Sequence, residues 1–131
     1  MDLSYTMKGR ICVVYLDPKI TDFADVGESV LIETQKLLEG FAKDESIDGI
    51  LVSFQRVTKL ASAGLGLMAA TSKQLEDRGA RFAICNLAPR HWRLFQITRL
   101  DEFLKMYPSE AAALAAMQSG GKTEGDEPKN P

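Results

Sequence analysis

The stretch LASAGLGLMAA, at residues 60–70, places a hydroxyl group and two glycines where the apolar spacing predicts the start of a helix. A serine at a helix N-terminus can accept hydrogen bonds from free backbone N–H groups, and a phosphate there would meet the positive end of the helix dipole. A glycine inside a helix costs about 1 kcal/mol relative to alanine, so Gly64 and Gly66 need a reason. One interpretation is functional, with the hydroxyl of Ser62 and the bare backbone of the glycines both needed at this position. The other is structural, with Ser62 as an N-cap and the glycines allowing tight packing of helix against strand.

Other chemistry is poorly represented in the chain. We find no nucleophile paired with a base, no phosphate-binding glycine loop and no carboxylate pair, so we predict no catalytic residue, no enzyme activity and no cofactor. A single histidine leaves too few ligands for a metal site. The sequence therefore favours a binding module over an enzyme.

Composition limits the partners. The chain has 131 residues, 45% hydrophobic and 26% charged, with a formal net charge of −2, as expected for one globular domain. It has no long basic run, which argues against nucleic acid, and no segment suited to membrane insertion or secretion. We expect a cytoplasmic protein whose Cys12 and Cys85 are buried thiols within strands rather than a disulfide.

Strands and helices alternate along the chain. The pattern predicts an α/β sandwich of a mixed sheet of about five strands with about four α-helices, in the order β-β-α-β-α-β-α-β-α. A turn at Lys8–Gly9 joins the first two strands, Pro89 opens the third helix and Ser109 caps the fourth. The expected strands lie at 3–7, 10–16, 47–54, 81–87 and 102–107, and the expected helices at 26–41, 63–78, 88–100 and 109–117. We predict a folded domain over 1–118 and a disordered tail over 119–131, which has no apolar residue.

The second half of this pattern resembles the STAS domain family, which includes bacterial anti-sigma factor antagonists and the tails of sulfate transporters. The family's hallmark is a strand, a loop and then Asp-Ser-Ser/Thr-Gly-Leu-Gly at the start of a helix. The matching residues in this chain are Ala61, Ser62, Ala63, Gly64, Leu65 and Gly66. The resemblance continues through RGARFAICNLAPRHWRLFQITRLDEFLKMYPSEAAAL and covers roughly residues 7–117.

The resemblance implies a function. In the antagonists, the first serine of the motif is phosphorylated by an anti-sigma factor that is also a serine protein kinase, and the residues around it form the docking surface. The resemblance implies that Ser62 is the phosphorylation position and that residues 61–66 contact such an anti-sigma factor. Through this contact the protein would regulate sigma-factor-dependent transcription in bacteria. Phosphorylated members carry Asp where this chain has Ala61, so phosphorylation is expected to be slow or absent. The alternative is an accessory subunit of an ABC-type lipid transport complex, or another interaction module without phosphorylation.

The same resemblance bears on the helix that begins at Pro89. His91 falls where the family places an apolar residue, so it is expected to pack against the sheet as an uncharged imidazole. Trp92 is then expected to point outward between Arg90 and Arg93, as a further partner contact.

Overall fold

A computed structural model describes residues 4–16, 27–57, 60 and 62–118, with the side chains of all of these except 27–31, 62 and 63. In this part of the chain, five strands and four α-helices follow one another in the predicted order. The strands are β1 (Ser4–Lys8), β2 (Ile11–Tyr15), β3 (Gly49–Ser53), β4 (Arg81–Cys85) and β5 (Lys105–Tyr107). The α-helices are α1 (Gly27–Lys43), α2 (Ser62–Asp77), α3 (Pro89–Ile97) and α4 (Glu110–Gln118), and a short 3-10 helix spans Leu100–Glu102. The predicted tail, residues 119–131, lies outside the described residues.

The sheet is mixed, and its strand order β1-β2-β3-β4-β5 follows the chain. The first pair is antiparallel and the other three pairs are parallel. Because every parallel step moves in the same direction across the sheet, right-handed crossovers put the three connecting helices on one face. The C-terminal helix α4 packs on the opposite face.

The turn between β1 and β2 contains a glycine. Lys8 pairs with Ile11, so the turn consists of Gly9 and Arg10, one residue later than predicted. Gly9 has φ of +65°, a left-handed conformation that residues with a Cβ rarely adopt.

In the described part of the chain, two apolar clusters form the core, one on each face of the sheet. The larger cluster joins α1, α2 and α3 to one set of strand side chains, and includes Leu38 and Leu75 as predicted. The smaller cluster contains Ala113 and Met117 of α4. Burial is the main reason why the pKa of Cys12 rises to about 11 and that of Cys85 to about 12, so both thiols stay protonated at neutral pH. Both cysteines are free and buried, as expected from the sequence.

Three of the helix ends have well-known capping features. Pro89 is at the start of α3, and the hydroxyl of Ser109 accepts a hydrogen bond from the backbone N–H of Ala112 at 3.1 Å, as an N-cap does. After α2, Gly79 has φ of +79°, and the N–H of Ala80 donates to the carbonyl of Leu75 at 2.8 Å. This is a glycine-terminated Schellman motif, and it ends α2 where the sequence predicted.

Helix α3 is shorter than predicted. The expected helix over 88–100 ends at Ile97, because Arg99 takes a left-handed conformation with φ of +64°. The hydroxyl of Thr98 donates back to the carbonyl of Leu94 at 2.8 Å. The 3-10 helix takes up the next residues, so the last strand begins at Lys105 rather than at residue 102.

Candidate partner-binding site

Helix α2 begins at the serine that the sequence singled out. Ser62 is the first residue of α2, so it lies in the turn whose N–H groups have no partner within the helix. The side chains of Ser62 and Ala63, and all of Ala61, lie outside what the structure describes, so capping and phosphorylation at this position stay predictions. We call residues 60–66 the Ser62 corner.

The loop that leads to this corner is anchored in the core. Phe54 and Val57 are 2% and 6% exposed, and Leu60 packs partly buried against the same apolar cluster. The N–H of Val57 donates to the carbonyl of Phe54 at 3.0 Å. Apolar side chains near both ends of the loop therefore tie it to the helix-covered face of the sheet.

The two glycines of the corner differ in their surroundings. Gly64 is buried, whereas Gly66 is exposed on the surface of α2. A Cβ built on Gly66 would meet nothing within 4 Å. The packing of this domain thus leaves room for a side chain at Gly66, although a glycine there costs helix stability.

Helix α3 packs against Phe54, the residue that begins this loop. Phe95 is fully buried and meets Phe54 edge to face, with 6.2 Å between ring centroids. His91 is buried, as predicted, with 3% of its surface exposed. Trp92 is also 3% exposed and belongs to the larger core cluster, so the prediction of an outward-pointing tryptophan is wrong.

Trp92 is buried because the buried face of α3 is wide enough to include it. Adjacent helical residues are about 100° apart, and an apolar face of that width accommodates His91 and Trp92 together. Trp92 and Phe95, three residues apart, share a face of the helix, and this spacing was a signal for burial of the tryptophan. Trp92 is therefore removed from the set of predicted partner contacts.

A polar network on the α4 face was missed by sequence reasoning. The hydroxyl of Ser53, 1% exposed, accepts hydrogen bonds from Asn86 Nδ2 and from the backbone N–H of Gln55, both at 3.3 Å. Nearby, Tyr15 donates from its hydroxyl to Glu110 Oε1 at 3.0 Å. Burial, followed by the bond to Glu110, raises the pKa of Tyr15. The Tyr15–Glu110 bond ties the carboxyl end of β2 to α4, and the Asn86–Ser53 bond joins the carboxyl ends of β3 and β4.

A pocket of about 180 Å³ lies elsewhere, at the other end of α2. Ser72 and Glu76 line it together with Phe103. At 1.5 Å per helical residue, Ser72 is about 15 Å along the helix from Ser62. The pocket is therefore separate from the Ser62 corner.

Two observations concern other kinds of site. Within residues 4–16, 27–57, 60 and 62–118, no three His, Cys, Asp or Glu side chains lie close enough together to hold a metal ion. None of the helices in this described part is long and apolar enough to cross a membrane.

Comparison with known proteins agrees with this geometry. The STAS domain model matches residues 8–113. An anti-sigma-factor antagonist (STAS) domain protein from Planctomyces limnophilus is 21% identical, with a TM-score of 0.74 over 89% of this chain and 98% of that one. An anti-sigma factor antagonist from Mycobacterium paratuberculosis is 20% identical, with a TM-score of 0.71 over 89% and 93%. The phosphorylated form of the Bacillus cell fate determinant SpoIIAA is 17% identical, with a TM-score of 0.67 over 88% and 99%.

At these identities the solved structures establish the shared fold, which is the fold expected from the sequence. The family model covers most of the chain, including the Ser62 corner, strands β2 to β5, helices α1 to α3, the last residue of β1 and the first residues of α4. The chain belongs to the STAS domain family.

Proposed function

We propose that this protein is an anti-sigma factor antagonist. The Ser62 corner binds an anti-sigma factor of the serine-kinase type, and this binding releases the sigma factor that the partner holds. The proposal is supported by membership of the STAS family and by the structural likeness to proteins described as antagonists.

The observation that carries the proposal is the exposed backbone at Gly66. The neighbours of Gly66 on the helix surface, three and four residues away, are Ser62, Ala63, Ala69 and Ala70. All of them are small, and Ala70 is exposed. A partner can therefore approach the backbone of α2 closely at this point, which favours a flat protein contact.

Buried contacts beside the corner also favour binding. Phe54 and Val57 are buried in the core, Leu60 packs against it, and Phe95 contacts Phe54. Residues that the core already holds lose less conformational entropy when a partner docks. These positions can therefore support a partner contact without repacking of the core.

Ser62 gives the corner a means of control. A phosphate on Ser62 would lie at the N-terminus of α2 and add nearly two negative charges to the contact. A partner that fits the neutral hydroxyl would then be repelled or would leave a charge unpaired. Ala61 supplies no carboxylate beside this hydroxyl, so in this chain phosphorylation is slow and binding dominates.

The test is displacement of a sigma factor. Each serine-kinase anti-sigma factor of the source organism is purified in complex with its sigma factor, and this protein is titrated in while free sigma factor is measured by size-exclusion chromatography. We expect one kinase to give up its sigma factor at a stoichiometric amount of the protein. If none does, and a native pull-down instead retrieves an ABC-type ATPase, the accessory-subunit alternative replaces this proposal.

A further inference from the structure

The pocket at the C-terminal half of α2 lies at the edge of the sheet. Residues of α2, β4, β5 and α4 line it, together with Ala80 and Phe103. Its volume of about 180 Å³ is below the roughly 300–1,000 Å³ of pockets for drug-sized ligands, so it suits a molecule about as large as one amino acid. A wider groove of about 550 Å³ adjoins the pocket, shares Ser72, Glu76, Phe103 and Lys105 with it, and gives a small molecule a way in.

Much of the pocket lining is apolar, and one aromatic side chain in it faces solvent. Phe82 and Met117 are buried and belong to the core clusters on opposite faces of the sheet. Phe103, in contrast, has 72% of its surface in solvent. An apolar group that covers this ring removes apolar area from water, which is favourable. The pocket therefore suits a ligand with a large apolar side chain.

Strand β4 has an open edge beside this pocket. Strand β5 pairs with β4 only from Ala83 onward, so within the described residues Arg81 and Phe82 have no strand on that side. The N–H of Arg81 donates to the carbonyl of Asp48 at 3.1 Å, on the β3 side. Successive residues of a strand direct their N–H groups to opposite sides, so the N–H of Phe82 points away from β3, toward the side of the pocket. A carboxylate in the pocket can accept a hydrogen bond from it.

The charged residues of the lining come from two different walls. Glu76 belongs to α2, whereas Arg81 belongs to β4 and Lys105 to β5. The guanidinium group of Arg81 donates to the backbone carbonyl of Met117, which holds it at the end of α4. A guanidinium group has five N–H donors, so it can bind a ligand at the same time. The pocket thus has a carboxylate on its helix side and two cationic groups on its sheet side.

We infer that this pocket binds a free α-amino acid with a large apolar side chain, such as leucine or phenylalanine. Arg81, Lys105 and the N–H of Phe82 bind the carboxylate of the ligand, and Glu76 binds its ammonium group. The side chain of the ligand covers Phe103. A ligand with only one of the two charges interacts with one wall, whereas a zwitterion uses both.

This inference goes beyond the proposed function, because it gives the protein a small-molecule ligand in addition to a protein partner. The pocket is separate from the Ser62 corner, so the inference does not depend on the kinase. Its failure leaves the proposed function as it stands, and its success does not require that function.

Binding is tested by titrating the nitrogen-15-labelled full chain with L-phenylalanine and with L-leucine. We expect saturable shifts in the millimolar range or below, largest at the amides of Phe82, Phe103 and Lys105. Three analogues are the controls: 3-phenylpropionate lacks the ammonium group, phenethylamine lacks the carboxylate, and the nitrogen of N-acetyl-L-phenylalanine carries no charge. Each should bind about tenfold more weakly or not at all. The inference is wrong if neither amino acid shifts these signals, or if an analogue binds as tightly as phenylalanine.

Two substitutions on α2 locate the ligand. Ser72→Leu fills the pocket from the helix side and should abolish binding. Gln74→Leu places the same side chain at an exposed position of α2 outside the pocket and should bind as the wild type does. Circular dichroism checks that both variants fold. Binding that survives in a folded Ser72→Leu protein places the ligand elsewhere and disproves the inference.

Glu76→Gln tests the charge with little change in the size of the side chain. Glu76 is exposed, so this variant decides the question even if Ser72→Leu fails to fold. It should weaken phenylalanine binding by about tenfold and leave the weak binding of 3-phenylpropionate unchanged, because only an ammonium group meets residue 76. An equal loss for both ligands, or no loss for phenylalanine, would overturn the inference that the ligand is a zwitterion.

Discussion

Two exposed helical glycines lie in different settings, at Gly66 in α2 and at Gly40 in α1. At both positions a Cβ would meet nothing within 4 Å, so both glycines cost helix stability without relieving a clash. Around Gly40, however, the residues three and four positions away include Lys36, Lys43 and Asp44, all exposed. These long or charged side chains keep another surface at a distance. An exposed glycine therefore indicates a contact only where its neighbours are also small, as they are around Gly66.

The largest expected difference between the two regions is in phosphoryl transfer. Ala61→Asp restores a carboxylate beside Ser62, and proton transfer assisted by such a group typically contributes about 100-fold or more to a rate. We expect wild-type Ser62 to be phosphorylated slowly or not at all by the partner kinase with ATP, and the variant to be phosphorylated much faster, as measured by mass spectrometry.

Ser46, an exposed serine just after α1, serves as the internal control for this experiment. Phosphate on Ser46 would mean that the kinase acts without regard to the Ser62 corner. Rapid, stoichiometric phosphate on wild-type Ser62 would mean that the missing carboxylate does not matter.

The next largest difference is expected when a bulky side chain replaces each of the two glycines. Gly66→Arg places a long cation in the centre of the proposed contact and should weaken kinase binding by about 30-fold, or about 2 kcal/mol, in isothermal titration calorimetry. Gly40→Arg makes the same change at the charged region of α1 and should bind as the wild type does. Equal affinities for the two variants, with both folded by circular dichroism, would place the docking surface elsewhere.

A smaller effect is expected from charge at Ser62 itself. Ser62→Glu puts a carboxylate where the partner meets a neutral hydroxyl, and its desolvation should lower the affinity by about tenfold. Gln74→Glu introduces the same charge at an exposed position further along α2 and controls for net charge. Affinity that is unchanged by Ser62→Glu would show that the hydroxyl lies outside the contact.

The smallest effect is on stability, and it tests whether the fold requires a glycine at position 66 or 40. Gly66→Ala and Gly40→Ala should each raise the free energy of unfolding by about 0.5–1 kcal/mol, because alanine favours the helix and neither Cβ meets a clash. Urea denaturation measures both changes. A loss of stability in Gly66→Ala alone would mean that the domain itself needs this glycine, which would remove the main support for the docking surface.

Local patterns were enough to predict most of the fold. The apolar runs of β2, β3 and β4, the helical spacing around Leu38 and Leu75, and the devices at Gly79 and Ser109 all depend on residues close together in the chain. These are signals that a sequence displays directly. The end of α3 was not predicted, because the left-handed conformation that ends the helix falls on Arg99. Arginine, unlike glycine, is not a sequence signal for that conformation.

The surroundings of the site depended on pairings between distant residues. Ser53 and Asn86 are 33 positions apart, and Tyr15 and Glu110 are 95 apart, so the register of the sheet and the docking of α4 bring each pair together. The burial of Trp92 likewise depended on the width of the face that α3 turns toward the core. The serine and the glycines of the Ser62 corner, in contrast, could be singled out from their spacing alone.

The consecutive strand order has a consequence for synthesis on the ribosome. Among the strands that the structure describes, none is inserted later between two earlier ones, so each strand can add to the growing sheet as it emerges. The face that carries Val13, Leu51 and Ala83, however, meets its cover only in α4, whose residues include Ala113 and Met117. A nascent chain that has completed the Ser62 corner and the other helices still presents an open apolar face. Until about the last turn of α4 has left the exit tunnel, that face is available to chaperones or to aggregation.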